Sequence, residues 1–299
     1  MLHFLVTHYY HSGFSVACGD SILIFDYWRG EAEELPEEVR LTPEILASYA
    51  HVFVFVSHDH PDHLDPVIFS WKDVPGIQYV VSSDMPVGTR GRRMAPGDTL
   101  ALSDDTEVTA FDSTDLGVSF LVSFRGLQVF HAGDLNFWHW RDESTMKEIE
   151  EADEEFRKAL RPLSGRPVDL AFFPVDPRQG NMFEAGANTF ILSVKPRILI
   201  PMHYFHRSEV AMEYARTASC RSTEVIALPG YGDLLDIALD DAGYLNLSFP
   251  ERTVPAEPED GVDVLLKEDD PFLESDLPLP QLAEERPEDN PPKEPASDA

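Results

Sequence analysis

The stretch Val52-Phe53-Val54-Phe55-Val56-Ser57-His58-Asp59-His60-Pro61-Asp62-His63 decides how this chain is read. It begins as an unbroken apolar, β-favouring run, the pattern of a strand buried on both faces. That strand runs straight into three histidines and two aspartates. His58 and His60 are two apart, a spacing that in extended chain puts both imidazoles on the same side. Pro61 favours a turn, and a turn swings Asp62 and His63 back towards the same point. Neutral imidazole suits zinc, iron or manganese, and carboxylate adds charge and hardness. His58, His60, Asp62 and His63 together exceed what one tetrahedral centre with an open position uses. The spacing therefore points to two adjacent divalent ions.

Further ligand types stand at the ends of other apolar runs. Leu127-Gln128-Val129-Phe130-His131-Ala132-Gly133-Asp134 is a strand pattern followed by glycine and aspartate. Ile198-Leu199-Ile200-Pro201-Met202-His203 is a strand pattern ending in histidine. Side chains donated from the same end of several strands are how a rigid sheet holds a metal site.

The rest of the chain supplies the scaffold. Short β-branched runs recur at Ser21–Phe25, Gln78–Val81, Val108–Phe111, Val118–Phe124, Leu170–Phe173 and Val225–Leu228. The early ones are separated by turn-length gaps, so much of the sheet structure is expected to be antiparallel or mixed. Thr42-Pro43 and Asp65-Pro66 each place a capping side chain before a proline suited to a first helical turn. From Thr145 to Leu160 the apolar residues fall on one helical face and most of the acidic run Glu150–Glu155 on the other, which reads as a solvated face. Phe183–Val194 and Ser208–Ala218 are further helix candidates. Strands interleaved with helices predict a layered α/β domain over residues 1–250.

The 299 residues carry 54 acidic and 23 basic side chains, a net charge of −31. Such a chain repels nucleic acid and anionic membranes. No apolar run reaches the length a membrane span requires. Residues 251–299 hold sixteen acidic, four basic and nine proline residues and few large apolar ones. They cannot bury enough surface to offset their ordering entropy and are expected to form an acidic, Pro-rich disordered tail. Cys18 and Cys220, the two cysteines, exclude a disulfide framework and fit a reducing compartment. The opening residues lack a basic region and a small-residue cleavage site, so no signal peptide and a cytoplasmic location are expected.

Taken together, these motifs resemble the metallo-β-lactamase superfamily. Its signature H-x-H-x-D-H is matched by His58, His60, Asp62 and His63, its bridging aspartate by Asp134 and its last metal histidine by His203. The opening His11-Ser12-Gly13-Phe14, followed by Leu23-Ile24-Phe25-Asp26, looks like the first hairpin of the lactonase-like branch that includes L-ascorbate 6-phosphate lactonase. The resemblance spans about residues 1–235. It implies a four-layered αββα sandwich with the metals at one edge between two sheets.

This chain departs from the family at one point. The resemblance implies another first-metal histidine between the main motif and Asp134. Here that stretch reads Val108-Thr109-Ala110-Phe111-Asp112-Ser113-Thr114-Asp115-Leu116-Gly117, with no histidine. Asp112 is the closest match and Asp115 the next; both also suit a turn cap. A carboxylate there would favour a harder ion such as manganese over zinc. Asp59 is a candidate to orient the attacking water, and Asp26 to accept from a ligand imidazole. His11, His131, Asp176, Tyr204, His206 and the aromatic run Phe137-Trp138-His139-Trp140 are placed near the site, with packing an equal alternative. Arg90-Gly91-Arg92-Arg93 is the one dense basic cluster, read as a surface loop with anion binding as the alternative.

The function expected is a metal-dependent hydrolase with one or two divalent ions, zinc or manganese, acting on a small ester, lactone or phosphodiester. Bound water then acidifies from a pKa of ~15.7 towards ~7. Asp59 and Asp62 are the catalytic candidates. A non-catalytic metal-binding protein on the same fold is the alternative; a nuclease of the superfamily is disfavoured by the charge.

Overall fold

The computed structural model describes residues 1–140 and 143–251. The expected tail beyond Glu251 lies outside the described residues.

Strands β1 (Leu2–His8), β2 (Phe14–Cys18), β3 (Ser21–Phe25), β4 (His51–Val56), β5 (Ile77–Ser82) and β6 (Arg92–Met94) follow each other across one sheet. A second sheet is built in the same running order from β7 (Thr99–Ser103), β8 (Thr106–Phe111), β9 (Ser119–Phe124), β10 (Leu127–His131), β11 (Leu170–Pro174), β12 (Ile198–Met202) and β13 (Glu224–Val225). The chain then returns to the first sheet, where β14 (Leu234–Leu239) pairs with β1 and β15 (Leu245–Ser248) with β14. Each sheet joins an antiparallel half to a parallel half. β3 through β6 are parallel in the first, and β10 through β13 in the second.

The β4 sequence shows why the sheets stack. Phe53 and Phe55 enter the large core that also holds the second sheet, whereas Val52, Val54 and Val56 enter a separate apolar cluster on the outer face. Leu23 and Phe25 of β3 divide from Ile22 and Ile24 in the same way. Alternating side chains both buried are the mark of a central parallel strand covered on two sides. Between the sheets, the Phe14 and Phe172 rings stack at 4.3 Å and Phe55 meets Phe120 at 5.4 Å.

Helices α2 (Met146–Leu160), α3 (Ala185–Val194) and α4 (Ser208–Ala218) belong with the second sheet: α3 packs on β11, α4 on β12 and β13. Thr145 and Glu148 cap α2 reciprocally, and Phe156, Ala159 and Leu160 are its buried face. The outer cover of the first sheet is thinner than the sequence leads one to expect. Thr42-Pro43 starts only the single turn α1 (Pro43–Leu46), and Asp65-Pro66 starts a 3-10 segment over Pro66–Trp71. Trp71 and Ile68 still fill that face, fully buried. The architecture is thus a two-sheet α/β sandwich with one well-formed and one reduced helical layer. None of the described helices is long and apolar enough to cross a membrane.

Candidate metal centre

Parallel strands all end on the same side, and that is where the ligand types collect. β3 delivers Asp26, β4 delivers Ser57 and His58, β10 leads to Asp134, β11 to Asp176 and β12 to His203. Ligand sites outside the carboxyl ends of parallel strands follow from this geometry. Two clusters form there: His58, His60 and Asp134 in one, and His11, Asp62, His63 and His203 in the other. Asp134 spans both. Its Oδ2 lies 3.3 Å from His58 Nε2 and 3.8 Å from His60 Nδ1. Its Oδ1 lies 3.0 Å from both His63 Nε2 and His203 Nε2.

These short distances are not hydrogen bonds. His63 Nε2, His203 Nε2 and Asp134 Oδ1 are buried and have no partner in hydrogen-bond geometry. Buried polar atoms are normally satisfied, so several orphans facing one point mark a place for a group that accepts their lone pairs. The far sides of the rings agree. His63 Nδ1–H donates to Asp26 Oδ2 at 2.8 Å, and His203 Nδ1–H to Asp176 Oδ2 at 3.0 Å. Asp26 also accepts from the Ser57 amide and hydroxyl, and His58 Nδ1–H donates to that hydroxyl oxygen at 2.9 Å. Each donation fixes the tautomer and leaves the Nε2 lone pair facing inward, as metal-ligating histidines require. On chemistry and orientation, these residues fit a divalent ion in each cluster.

Charge follows the same plan. Burial alone would raise the Asp134 carboxyl, but His63 and His203 outweigh it and hold the group well below the usual carboxylate range. Burial would likewise raise Asp26, yet His131, His63 and His58 hold it low. Asp176, between His203 and Arg178, is held at about 2 against its own burial. His11 is driven the other way: burial first, then the neighbouring His203, lowers it to about 3.

Backbone strain concentrates here. His11, Asp26, His203 and Phe205 all adopt positive φ, which non-glycine residues rarely do. Glycine is required at Gly117 and Gly133. A Cβ on Gly117 would stand 2.0 Å from the Ser57 carbonyl oxygen, and one on Gly133 2.8 Å from Ser57 Cβ. The loops before β9 and after β10 therefore press directly on the residue that carries His58.

A cleft of about 470 Å³ opens over the clusters, walled by Asp62, Asp134, Asp115, Trp138, Trp140 and Arg178 among others. A depression of about 510 Å³ lies on the other side of His60 against Trp28, Arg29 and Asp59. It touches none of Asp62, His63, Asp134 or His203, so chemistry at the clusters belongs to the former. The aromatic run divides between packing and cleft. Phe137 and His139 stack inward at 4.2 Å, while Trp138 donates to the Asp134 carbonyl and stands beside His203. Arg178 is paired with Asp176 and lies over the Phe205 ring at 5.0 Å.

His58, His60, Asp62, His63, Asp134 and His203 thus converge as the sequence predicts, with Asp26 and Asp176 behind them. Two candidates do not join them. Asp112 is exposed, and its carboxylate accepts from the Ser113 amide, so it acts within its own turn. The carboxylate of that stretch that reaches the cleft wall is Asp115. Asp59 is also exposed and lines the outer depression, because it alternates with His58 and His60 along the chain. The Arg90–Arg93 cluster is taken up structurally: Arg93 donates to the carbonyls of Ser83 and Met85, Arg92 to that of Ala101. Sequence reasoning missed Ser57, Gly117 and Arg178. Only the position of Ser57, directly before His58, could have flagged it.

No family model matches the chain, and no curated protein does. Solved structures match. Igni18, a metallo hydrolase from the archaeon Ignicoccus hospitalis, has a TM-score of 0.57 at 16% identity, covering 80% of this chain and 100% of that one. A Parabacteroides distasonis protein described as a metal-dependent hydrolase has a TM-score of 0.53 at 16% identity, covering 76% and 94%. The metallo-β-lactamase fold protein YhfI of Bacillus subtilis has a TM-score of 0.50 at 15% identity, covering 79% and 100%. Identities this low speak to fold alone. On the sheet order, the site's position and these likenesses, the chain has the metallo-β-lactamase fold.

Proposed function

We propose that the protein is a metal-dependent hydrolase of a small ester, lactone or phosphodiester, loaded with one or two divalent ions, zinc or manganese. The observation that carries this reading is the set of buried, unpartnered His63, His203 and Asp134 atoms facing one point, each histidine fixed from behind by a carboxylate. A divalent ion held there supplies Lewis acidity to a carbonyl or phosphoryl oxygen and acidifies water. The chain's own residues do the rest. Asp134 joins the two clusters and Asp62 lines the cleft. Trp138 and Trp140 give an apolar wall, and Arg178 places a cation where a phosphate or carboxylate of the substrate would lie. The cleft has the size of a small-molecule site. The net charge of −31 disfavours nucleic acid as the substrate. Free Cys18 and Cys220 support the cytoplasm as the compartment.

A non-catalytic metal-binding protein is the second reading. It is favoured by the His58–His60 cluster, which among the described residues has no fourth member where Asp112 was expected.

Protein purified without chelators, analysed for metals and assayed on ester, lactone and phosphodiester panels, tests both. Bound zinc or manganese with turnover of one class, lost in Asp134→Ala, supports the hydrolase. Metal without turnover on any class supports the second reading, and protein that takes up neither ion overturns both.

A further inference from the structure

His11 is the one member of the two clusters whose ring is held from behind by a donor. The Phe205 amide N–H, 194 residues away in the chain, lies 3.2 Å from His11 Nδ1. A backbone amide can only donate, so Nδ1 carries a lone pair. In a neutral imidazole the proton is then on Nε2. The clamp is firm: the His11 carbonyl accepts from the His203 amide at 3.2 Å, and the ring lies 4.0 Å from both the His203 and Phe205 rings. His58, His63 and His203 have the opposite arrangement, with Nδ1–H donated to an oxygen behind them.

The protein holds its own precedent. His131 Nδ1 accepts from the Gly133 amide, and its Nε2–H donates to the Ser12 carbonyl at 2.8 Å. His131, with the same amide-capped Nδ1, belongs to neither cluster.

We infer that His11 is not a metal ligand but a positioning residue, whose Nε2–H donates to Asp62 and sets the orientation of that carboxylate. Asp62 Oδ2, 3.4 Å away, is the carboxylate oxygen nearest to His11 Nε2, which has no partner in hydrogen-bond geometry. For a neutral His11 to ligate an ion through Nε2, its proton would have to move to Nδ1, setting that N–H against the Phe205 amide N–H and leaving the amide without its acceptor. As a donor it completes a pattern. Asp26 stands behind His63, Asp176 behind His203, Ser57 behind His58, and His11 behind Asp62. Ligating carboxylates, like ligating imidazoles, are held by such outer partners.

This rests on the proposed function, since the role of Asp62 is as a ligand. The test is long-range proton–nitrogen NMR of the full chain, before and after zinc loading, with metals per chain measured in His11→Asn and His63→Asn. Asparagine tolerates the left-handed backbone at His11. The expected result is a His11 Nε2 that stays protonated with zinc bound, while the Nε2 atoms of His63 and His203 are unprotonated. His11→Asn should keep the parent's zinc stoichiometry at saturation with about 10–100-fold weaker binding, and His63→Asn should lose stoichiometry. A His11 Nε2 that gives up its proton on loading, or a His11→Asn protein short of one zinc at saturation, overturns the inference. Should the chain take up neither zinc nor manganese, the proposed function fails separately. The tautomer in the ion-free protein still decides: Nδ1–H on His11 refutes the donor role and Nε2–H sustains it. That spectrum uses the parent chain, so it stands even where His11→Asn does not fold.

Discussion

The two halves of the site are built to different standards. In the His63–His203 half both rings are buried, and each is held by a carboxylate that is itself buried and hydrogen-bonded. In the His58–His60 half, His58 is buried and braced by Ser57, but the His60 side chain is 37% exposed. Its Nδ1 faces only His58 and Asp134. The difference follows from where the ligands come from. His63 and His203 are reached by carboxylates at the ends of β3 and β11, in the middle of their sheets, whereas His60 sits in the turn after β4 with solvent on one side. A preorganised half and an open half are what unequal occupancy would require.

Four outcomes would break or sharpen this contrast. The largest effect is expected for His63→Ala. Removing that ring takes a close partner from the buried carboxylates of Asp26 and Asp134, which costs about 3–5 kcal/mol in comparable networks. His60→Ala, at a partly solvated position, should cost under about 1 kcal/mol. Thermal melts of the two variants check this, and equal losses would dissolve the distinction.

Next in size is the hold on the ions. Asp176→Asn removes the carboxylate behind His203 and should weaken metal binding in that half about 10–100-fold. In the parent chain, a chelator titration should strip the His58–His60 half first. Asp176→Asn should narrow the gap between the two steps. A single step in the parent would show the halves to be equivalent.

A smaller effect is expected at Gly117. Alanine there meets the Ser57 carbonyl at 2.0 Å and His58 Cβ at 2.6 Å, at φ +77°. The expected loss is about 1–3 kcal/mol of stability, with the disturbance confined to the His58–His60 half. Metal stoichiometry measured alongside the melt separates the halves, and loss of the ion beside His203 would contradict the prediction.

The smallest effect belongs to Asp112→Ala. It removes one exposed contact to the Ser113 amide. Stability should change by less than about 0.5 kcal/mol and metals per chain not at all. A fall in stoichiometry would restore Asp112 as a ligand and make the two halves more alike.

Much of the scaffold was legible in the residue pattern. Val52–Val56, Leu170–Phe173 and Ile198–Ile200 read as strands because fully buried parallel strands carry unbroken apolar runs, and Leu127–Phe130 did so with one polar residue in it. The Thr145–Leu160 helix was visible in its period, and the structure added its Thr145–Glu148 capping pair. Val225–Leu228 was overread, since only Glu224–Val225 pairs. β1, β14 and β15 were not identified as strands. They follow one another inward from one edge of the sheet, and each is partly exposed and mixes polar with apolar residues, so no single run announces it.

The same division runs through the site. Sequence alone determined that His58, His60, Asp62, His63, Asp134 and His203 belong together, because spacing within a turn and position at strand ends are local properties. Tertiary structure decided the rest. It turned Asp59 and Asp112 outward, brought Asp115 to the cleft wall, and put Arg178 and Trp138 in that same wall. It also chose which nitrogen of each ring faces inward, through Asp26, Asp176 and the Phe205 amide. A ring's tautomer follows from a donor or acceptor that folding brings within 3.2 Å from as far as 194 residues along the chain. No local pattern encodes that meeting; the packing of one sheet on the other creates it.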